Sequence, residues 1–370
     1  MTLKRQLVVL ATGVDSLNLA AQGSIPNTMW ERLERGRDEA AATKTTVRFR
    51  CTRSGRTFGL RGFGARGYAY VLKSNDLDLM IGRSQFFPPV LIELRSDYLH
   101  RVGPRRALLE TEWLLRDDVF GGPVQLRTSR VDIHADVQGW CPDVADLERF
   151  VSRAHGRAGH VEREEVEREG VYTNSRRLTG LTFGRHRMVA RVYDKTAELM
   201  RSNKTWLWDV WGDDADPDQA VWRLEFQFRR ALLNEFHVYE PSEVLDALQD
   251  LWRYATRRWL TFRTPVPEDS NRRRWPVDPV WREVQDIEIV PGVCGLIRRR
   301  IEEVNEERVL ALMQGCLTTL AALHGWWSFD RAWASAAPLV ELYMHQRGRS
   351  FLDEVRRKSD RDDDLNVEVA

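Results

Sequence analysis

The stretch SRVDIHADVQGW, Ser129 to Trp140, decides how this chain is read. It sets Arg130, Asp132, His134 and Asp136 on alternate positions, with Val131, Ile133, Ala135 and Val137 in the gaps. Residues two apart in a strand share a face, so one face here is wholly ionisable and the other wholly apolar. A solvent-facing strand would explain one such segment taken alone. Three more segments repeat the pattern. In VLIELRSD, Val90, Ile92 and Leu94 oppose Glu93, Arg95 and Asp97; in WRLEFQFRR, Trp222, Leu224, Phe226 and Phe228 oppose Arg223, Glu225, Gln227 and Arg229. In MVARVYDK, Met188, Ala190 and Val192 oppose Arg191, Tyr193 and Lys195. Few filler residues such as Ser or Thr dilute these faces, so the four segments read as one sheet with a working surface.

Outward from these segments, residues 1–263 alternate short strand-like runs with amphipathic ones, which predicts an α+β domain on a largely antiparallel central sheet with flanking helices. Further strands are expected at Leu7–Leu19, Thr45–Arg50, Tyr68–Lys73, Asp78–Ile81 and Leu178–Phe183, and helices at Met29–Ala42, Arg105–Arg116, Pro142–His155, Asp194–Ser202 and Ser242–Phe262. The run TPVPEDSNRRRWPVDPVW, with four prolines and an Arg triplet, predicts a linker over 264–281. A smaller all-helical domain is expected over 282–360, with long helices at Gly295–Leu323 and Ser328–His345, and an acidic tail over 361–370.

With 370 residues, 42% of them hydrophobic, the chain can bury a large core. Its apolar runs are short and broken by charge, and its N-terminus lacks a signal-like hydrophobic region. The expectation is therefore a cytoplasmic protein without a membrane span. Cys51, Cys141, Cys294 and Cys316 form no CxxC pair and read as small buried residues rather than disulfides or thiolate zinc ligands. The net charge is only +1, yet Ala40 to Asn75 holds eight Lys or Arg without an acid, and Val171 to Tyr193 holds five Arg without one. Local balance matters more than the sum, and clustered arginine suits phosphate.

The residues on the ionisable faces suggest their chemistry. Asp132, Asp136, Glu93 and Glu225, with His134 nearby, are hard oxygen and imidazole groups of the kind that hold Mg²⁺ or Mn²⁺. A tyrosine on the same surface, Tyr193, is placed to attack phosphorus while a metal polarises a phosphate oxygen. Arg176, Arg177, Arg185 and Arg187 in the acid-free segment are set to meet phosphates. Arg56, Arg61 and Arg66, among Phe58, Phe63, Tyr68 and Tyr70, fit a loop binding single-stranded or hairpin DNA, with a merely solvated hairpin as the alternative.

Three blocks in order, TSRVDIHADV (Thr128–Val137), GVYTNSRRLTGLTFGRHRMVARVYDKTAE (Gly170–Glu198) and VWRLEFQFRRALLNEF (Val221–Phe236), together resemble the replication initiation factor (Rep_trans) family. That family comprises rolling-circle initiators of plasmids and related relaxases of integrative conjugative elements. VLIELRS (Val90–Ser96) sits where the family has another Glu-bearing strand, and His134 replaces a usually apolar residue. The resemblance spans roughly residues 5 to 260. It implies that Tyr193 nicks one strand of an origin and becomes linked to the 5′-phosphate. It also implies that Asp132 and Glu225, with Glu93 and Asp136, hold the metal, and that Lys195 and Arg191 sit against phosphate. The segment after residue 265 matches nothing in the family; the origin, a host helicase or polymerase, or a second protomer making a homodimer are its open partners. A DNA-binding protein that has lost cleavage, a metal-dependent nuclease using water, and Tyr172 as the nucleophile instead of Tyr193 are the competing readings.

Overall fold

The computed structural model of the protein describes residues 7–153, 170–174, 177–202, 206–289, 306–348 and 350–352. Strand β1 (Val8–Gln22) leads into helix α1 (Asn27–Thr43), then come β2 (Val47–Arg50), β3 (Thr57–Leu60), β4 (Tyr70–Lys73), β5 (Leu77–Ile81) and β6 (Val90–Leu94). Helices α2 (Ser96–Val102) and α3 (Pro104–Leu114) precede the long β7 (Gln125–Gln138), followed by β8 (Phe150–Ser152), β9 (Gly170–Asn174), β10 (Arg177–Arg185) and β11 (Met188–Asp194). Next are α4 (Lys195–Ser202), α5 (Leu207–Trp211), β12 (Trp222–Arg229), α6 (Arg230–Glu235), α7 (Pro241–Asp246), α8 (Leu248–Tyr254), β13 (Leu260–Phe262) and α9 (Pro279–Gln285). Eleven strands form one sheet in the order β2-β3-β4-β5-β6-β1-β7-β12-β11-β10-β9, and β8 pairs with β13. Their pairings are antiparallel. The fold is thus α+β, with a large antiparallel sheet, flanking helices and a helical C-terminal region.

The apolar residues of the alternating segments form the core. Val131, Ile133, Ala135 and Val137 of β7 and Trp222, Leu224, Phe226 and Phe228 of β12 are fully buried. They share one cluster with Leu232, Leu251, Trp252 and Trp281 from the covering helices, and Phe226 meets Trp252 edge-on at 5.2 Å between ring centres. Each such side chain contributes about 1.5–3 kcal/mol by leaving water.

The opposite face is buried as well: Asp132, His134, Asp136, Arg223 and Gln227 are almost wholly inaccessible. Helices α2, α4 and α5 contact the central strands, and Leu199, Leu207, Trp211 and Val221 form a second cluster separate from the main core. The working surface is therefore a lined interior rather than a solvated sheet face.

Segment 264–281, expected as a linker, packs on the same body. Trp281 is buried, its Nε1 donating to the Thr256 carbonyl at 2.9 Å, and Trp252 Nε1 donates to the Val284 carbonyl at 3.0 Å. The chain instead divides into compact units at Met1–Arg299 and Arg300–Ala370. The prolines mark turns held down by two indoles, a long-range packing that local composition does not reveal.

Two expected helices change partway. Pro142–His155 gives a 3₁₀ turn at Val144–Arg149 and then β8, and Ser242–Phe262 gives α7, α8, a π-helical turn and β13. Pairing of Phe150 with Phe262 draws both segments out of helix. Strands β3 and β9 were not expected; both are short, and β9 lies at the edge of the sheet. Cys51 is buried as expected, Cys141 and Cys316 are exposed, and Cys294 lies outside the described residues.

The second unit holds α10 (Glu306–His324) and α11 (Phe329–Gln346), close to the expected helices, although 295–305 lies outside the described residues. The Ser328 side chain accepts from the Arg331 amide at the start of α11. Leu317, Ala332 and Ala336 pack between the two helices. No described helix is long and apolar enough to cross a membrane.

Candidate phosphate and metal site

Antiparallel register lines up the polar face in rows. Tyr193 on β11 lies opposite Arg223 on β12, which lies opposite Asp136 on β7; Arg191, Glu225 and His134 make the next row. One row is extended by an irregularity in β1. Val14 pairs with Ile133 and Ser16 with Asp132, leaving Asp15 as the extra residue of a bulge. Two residues oppose one there, so the chain shows both Asp15 and Ser16 to the polar side while Val14 and Leu17 stay in the core.

Every carboxylate expected as a metal ligand carries an arginine. Asp132 takes Arg130 in a two-pronged contact, its Oδ1 2.8 Å from Nε. Asp136 takes Arg223 through 2.6 and 2.7 Å bonds and also the Trp211 indole N–H at 2.8 Å. Glu225 takes Arg191 at 2.9 Å, and Glu93 takes Arg66. Guanidinium groups, those of Arg223 and Arg191 reaching across from the adjacent strand, thus do the neutralising that the sequence reading gave to a cation. Burial pushes the Asp132 carboxyl up to about 7 despite Arg130, with the Glu225 charge adding to the rise. Of the five expected ligands, only His134 joins a donor cluster among the described residues.

That cluster is Asp15, His100 and His134, whose ligand atoms lie within 4.8 Å of one another. His100 comes from α2, with its ring 5.1 Å from that of His134. Nδ1 and Nε2 of His134 and Nε2 of His100 are buried with no hydrogen-bond partner among the described residues. Burial, reinforced by Arg223, lowers the imidazole of His134 to about 3, so at neutral pH the ring is uncharged and one of its nitrogens offers a free lone pair. Burial alone would raise Asp15, but Arg223, His134, Lys195 and a hydrogen bond from Ser96 hold it below the usual carboxylate range. An ionised carboxylate beside neutral, unpartnered imidazoles is a donor set that fits a divalent cation. Asp15 and His100 were missed from sequence. The Val14 to Leu17 spacing signals the bulge that turns Asp15 inward, but nothing local marks His100.

Beside this cluster opens a cleft of about 410 Å³, lined by Asp15, Tyr172, Arg191, Tyr193, Lys195, Glu198 and Glu225 among others. The Tyr193 hydroxyl donates to Glu225 Oε2 at 3.1 Å and accepts from Lys195 Nζ at 3.4 Å. Lys195 opens α4 rather than continuing the strand, and its ammonium lies 2.6 Å from Glu198. Burial raises the Tyr193 phenol well above its ordinary value, and the Glu225 charge adds to this. Burial and Arg223 lower Lys195. Tyr172, 57% exposed, stands on the cleft's far side, with Gly180 between the two tyrosines in the same row.

The arginines expected to meet phosphate divide. Arg56 is spent on Asp76, Glu110 and the Tyr98 hydroxyl, Arg177 on Asp194, Arg187 on Glu235 and Arg66 on Glu93. Arg185 is exposed at the β10–β11 turn, and Arg61 lies over the Phe63 ring at 5.5 Å. Arg176 lies outside the described residues.

No protein-family model matches the chain, and no curated protein matches it. Among solved structures it is similar to a rolling circle replication initiator protein from Geobacillus stearothermophilus, at 18% identity and a TM-score of 0.43, over 78% of this chain and 100% of that one.

Proposed function

We propose that this protein is a site-specific DNA strand transferase, a replication initiator or relaxase that nicks and rejoins one strand at an origin through Tyr193. The observation that carries this reading is the Tyr193 hydroxyl held between Glu225 and Lys195 at a cleft that also presents Arg191 and Asp15. Two of the three sequence blocks that resemble the replication initiation factor family, Gly170–Glu198 and Val221–Phe236, supply residues to the cleft, and the third, Thr128–Val137, pairs with the strand that carries Glu225. In the forward step the Tyr193 oxygen attacks phosphorus, a phosphotyrosine bond forms and the bond to the 3′-oxygen breaks. The phenol is too weak an acid to ionise by itself, so its proton passes to Glu225. Lys195, with its lowered proton affinity, gives a proton to the departing 3′-oxygen, leaving a 3′-hydroxyl; rejoining runs these transfers in reverse. Arg191 faces the phosphate charge. A divalent ion held by Asp15, His100 and His134 would polarise a phosphate oxygen. Two imidazoles in the set favour Mn²⁺ over Mg²⁺.

The test is incubation with labelled single-stranded oligonucleotides from the origin of its own element, with Mn²⁺, Mg²⁺ or EDTA. The expected outcome is a denaturation-resistant protein–DNA adduct, strongest in Mn²⁺, absent in EDTA and absent in Tyr193→Phe. Cleavage with no adduct would instead assign a nuclease that uses water, and an adduct persisting in Tyr193→Phe would move the nucleophile to Tyr172. Binding without cleavage would leave an origin-binding protein.

A further inference from the structure

The loop joining β5 to β6, residues 82–89, carries Phe86 at 90% exposure and Phe87 at 52%. An exposed phenylalanine is common, but this one is braced. The Ser84 hydroxyl accepts from the amides of both Phe86 and Phe87, at 3.0 and 3.2 Å, and Pro88 and Pro89 stiffen the exit. Phe87 lies against Tyr68, ring centres 6.2 Å apart. Tyr68 closes a two-residue turn in which Arg66 and Gly67 both have positive φ, the geometry of a tight type I′ hairpin. The same hairpin presents Phe63 at 67% exposure with the Arg61 guanidinium over its ring. Phe87 packs on this hairpin through Tyr68, and Arg61 lies over the Phe63 ring, whereas Arg83 lies over the Trp30 ring at 4.5 Å. Residues 79–92 contain one arginine and no acid, and the stretch from 40 to 75 has eight basic residues and no acid.

This patch lies on the polar side of the sheet. Tyr68, Val71 and Met80 form a small cluster apart from the main core, packed with Ala65 and Leu91. Arg66 reaches Glu93, whose backbone is in register with Asn18 and, through it, with Arg130 of β7. The same sheet face therefore continues from the Tyr193 cleft to the aromatic loops.

We propose that Phe86, with Phe87 beside it and Phe63 on the adjoining hairpin, is a stacking platform for unpaired bases of single-stranded DNA, with Arg61 meeting the backbone. Flat, solvent-facing rings on two segments whose sequences carry arginines and no acid match that ligand: each base has a face to stack and each linkage a negative charge. The proposal rests on reading the polar face as a DNA site, but it concerns binding and not the chemistry at Tyr193.

The experiment is fluorescence anisotropy of the full chain with a labelled single-stranded oligonucleotide of mixed sequence and with the same oligonucleotide carrying abasic sites, across a salt series. Phe86→Ala removes a side chain that is almost wholly in solvent, and circular dichroism checks that the fold is unchanged. Wild type is expected to lose about 5- to 100-fold in affinity for the abasic strand, and Phe86→Ala to lose a similar factor on the intact strand while no longer distinguishing the two. Phe86→Trp should restore the preference. Equal affinity of wild type and Phe86→Ala for the intact strand would overturn the platform, as would a Phe86→Ala effect traced by sedimentation to loss of self-association. Adduct formation by Phe86→Ala at saturating DNA separates this from the chemistry. A platform that persists while wild type forms no adduct would sink the nicking reading alone, and an adduct with no base-dependent binding would sink the platform alone.

Discussion

At the scale of single residues, Arg223 organises the polar face. It is fully buried, grips Asp136 with two bonds and reaches Asp15 at 2.5 Å. Removing it leaves two buried carboxylates without their cation, so Arg223→Met should lower unfolding stability by about 3–5 kcal/mol in urea titrations. A loss under about 1 kcal/mol would show that the carboxylates find other partners or take up protons. His134 sets a pH dependence. Its imidazole, at about 3 in the fold, returns to about 6.5 in the unfolded chain, so the unfolded state binds more protons between those values. The His134 contribution to stability therefore falls as pH drops from about 6.5 towards 3, by up to about 1.4 kcal/mol per pH unit, and His100, lowered for the same reason of burial, adds in the same sense, while Asp132, raised to about 7, contributes in the opposite sense between about pH 7 and 4. His134→Asn should flatten that limb between about pH 6 and 4 and abolish any rise in melting temperature on adding Mn²⁺. An unchanged limb would assign the acid sensitivity elsewhere. Tyr193, Arg191 and Glu225 were legible in the sequence because alternation puts them on one face of adjacent strands; Lys195, read from the same alternation, instead opens α4 and reaches the Tyr193 hydroxyl from there. Asp15 and His100 were not, because a bulge and a helix from distant segments bring them there.

Among the elements, the β10–β11 hairpin fixes where Tyr193 stands. Gly184 has φ +78°, and a Cβ there would lie 2.6 Å from both the Met188 carbonyl oxygen and the Trp259 ring. Gly184→Ala therefore meets backbone strain and a clash with a core indole, and should cost about 1–3 kcal/mol and slow adduct formation. A variant as stable as wild type would show that the turn relaxes. The long central strands were readable from period two alone. The segments 142–155 and 242–262 were not, since their local patterns suit helix and only the β8–β13 pairing, joining residues about a hundred apart, pulls their ends into strand.

For the whole molecule, the division at Arg299 and Arg300 separates the unit bearing the cleft from the helices α10 and α11. A chain ended after Arg299 contains every side chain of the cleft, the donor cluster and the aromatic platform. It should unfold in one cooperative transition and form the Tyr193 adduct at a rate within about threefold of the full chain, or about 0.7 kcal/mol. Loss of folding or of the adduct would give the C-terminal helices a part in the fold or the chemistry.

The sequence alone determined the α+β class, the antiparallel strands and the side chains they show, because side-chain alternation along a strand is a local consequence of backbone geometry. Tertiary structure alone decided which polar groups meet. It paired the expected carboxylate ligands, and Asp15 as well, with arginines, brought Asp15, His100 and His134 together, and divided the chain past Trp281. Those outcomes depend on strand order, one bulge and the burial of both sheet faces, which are set by contacts between residues far apart in the chain.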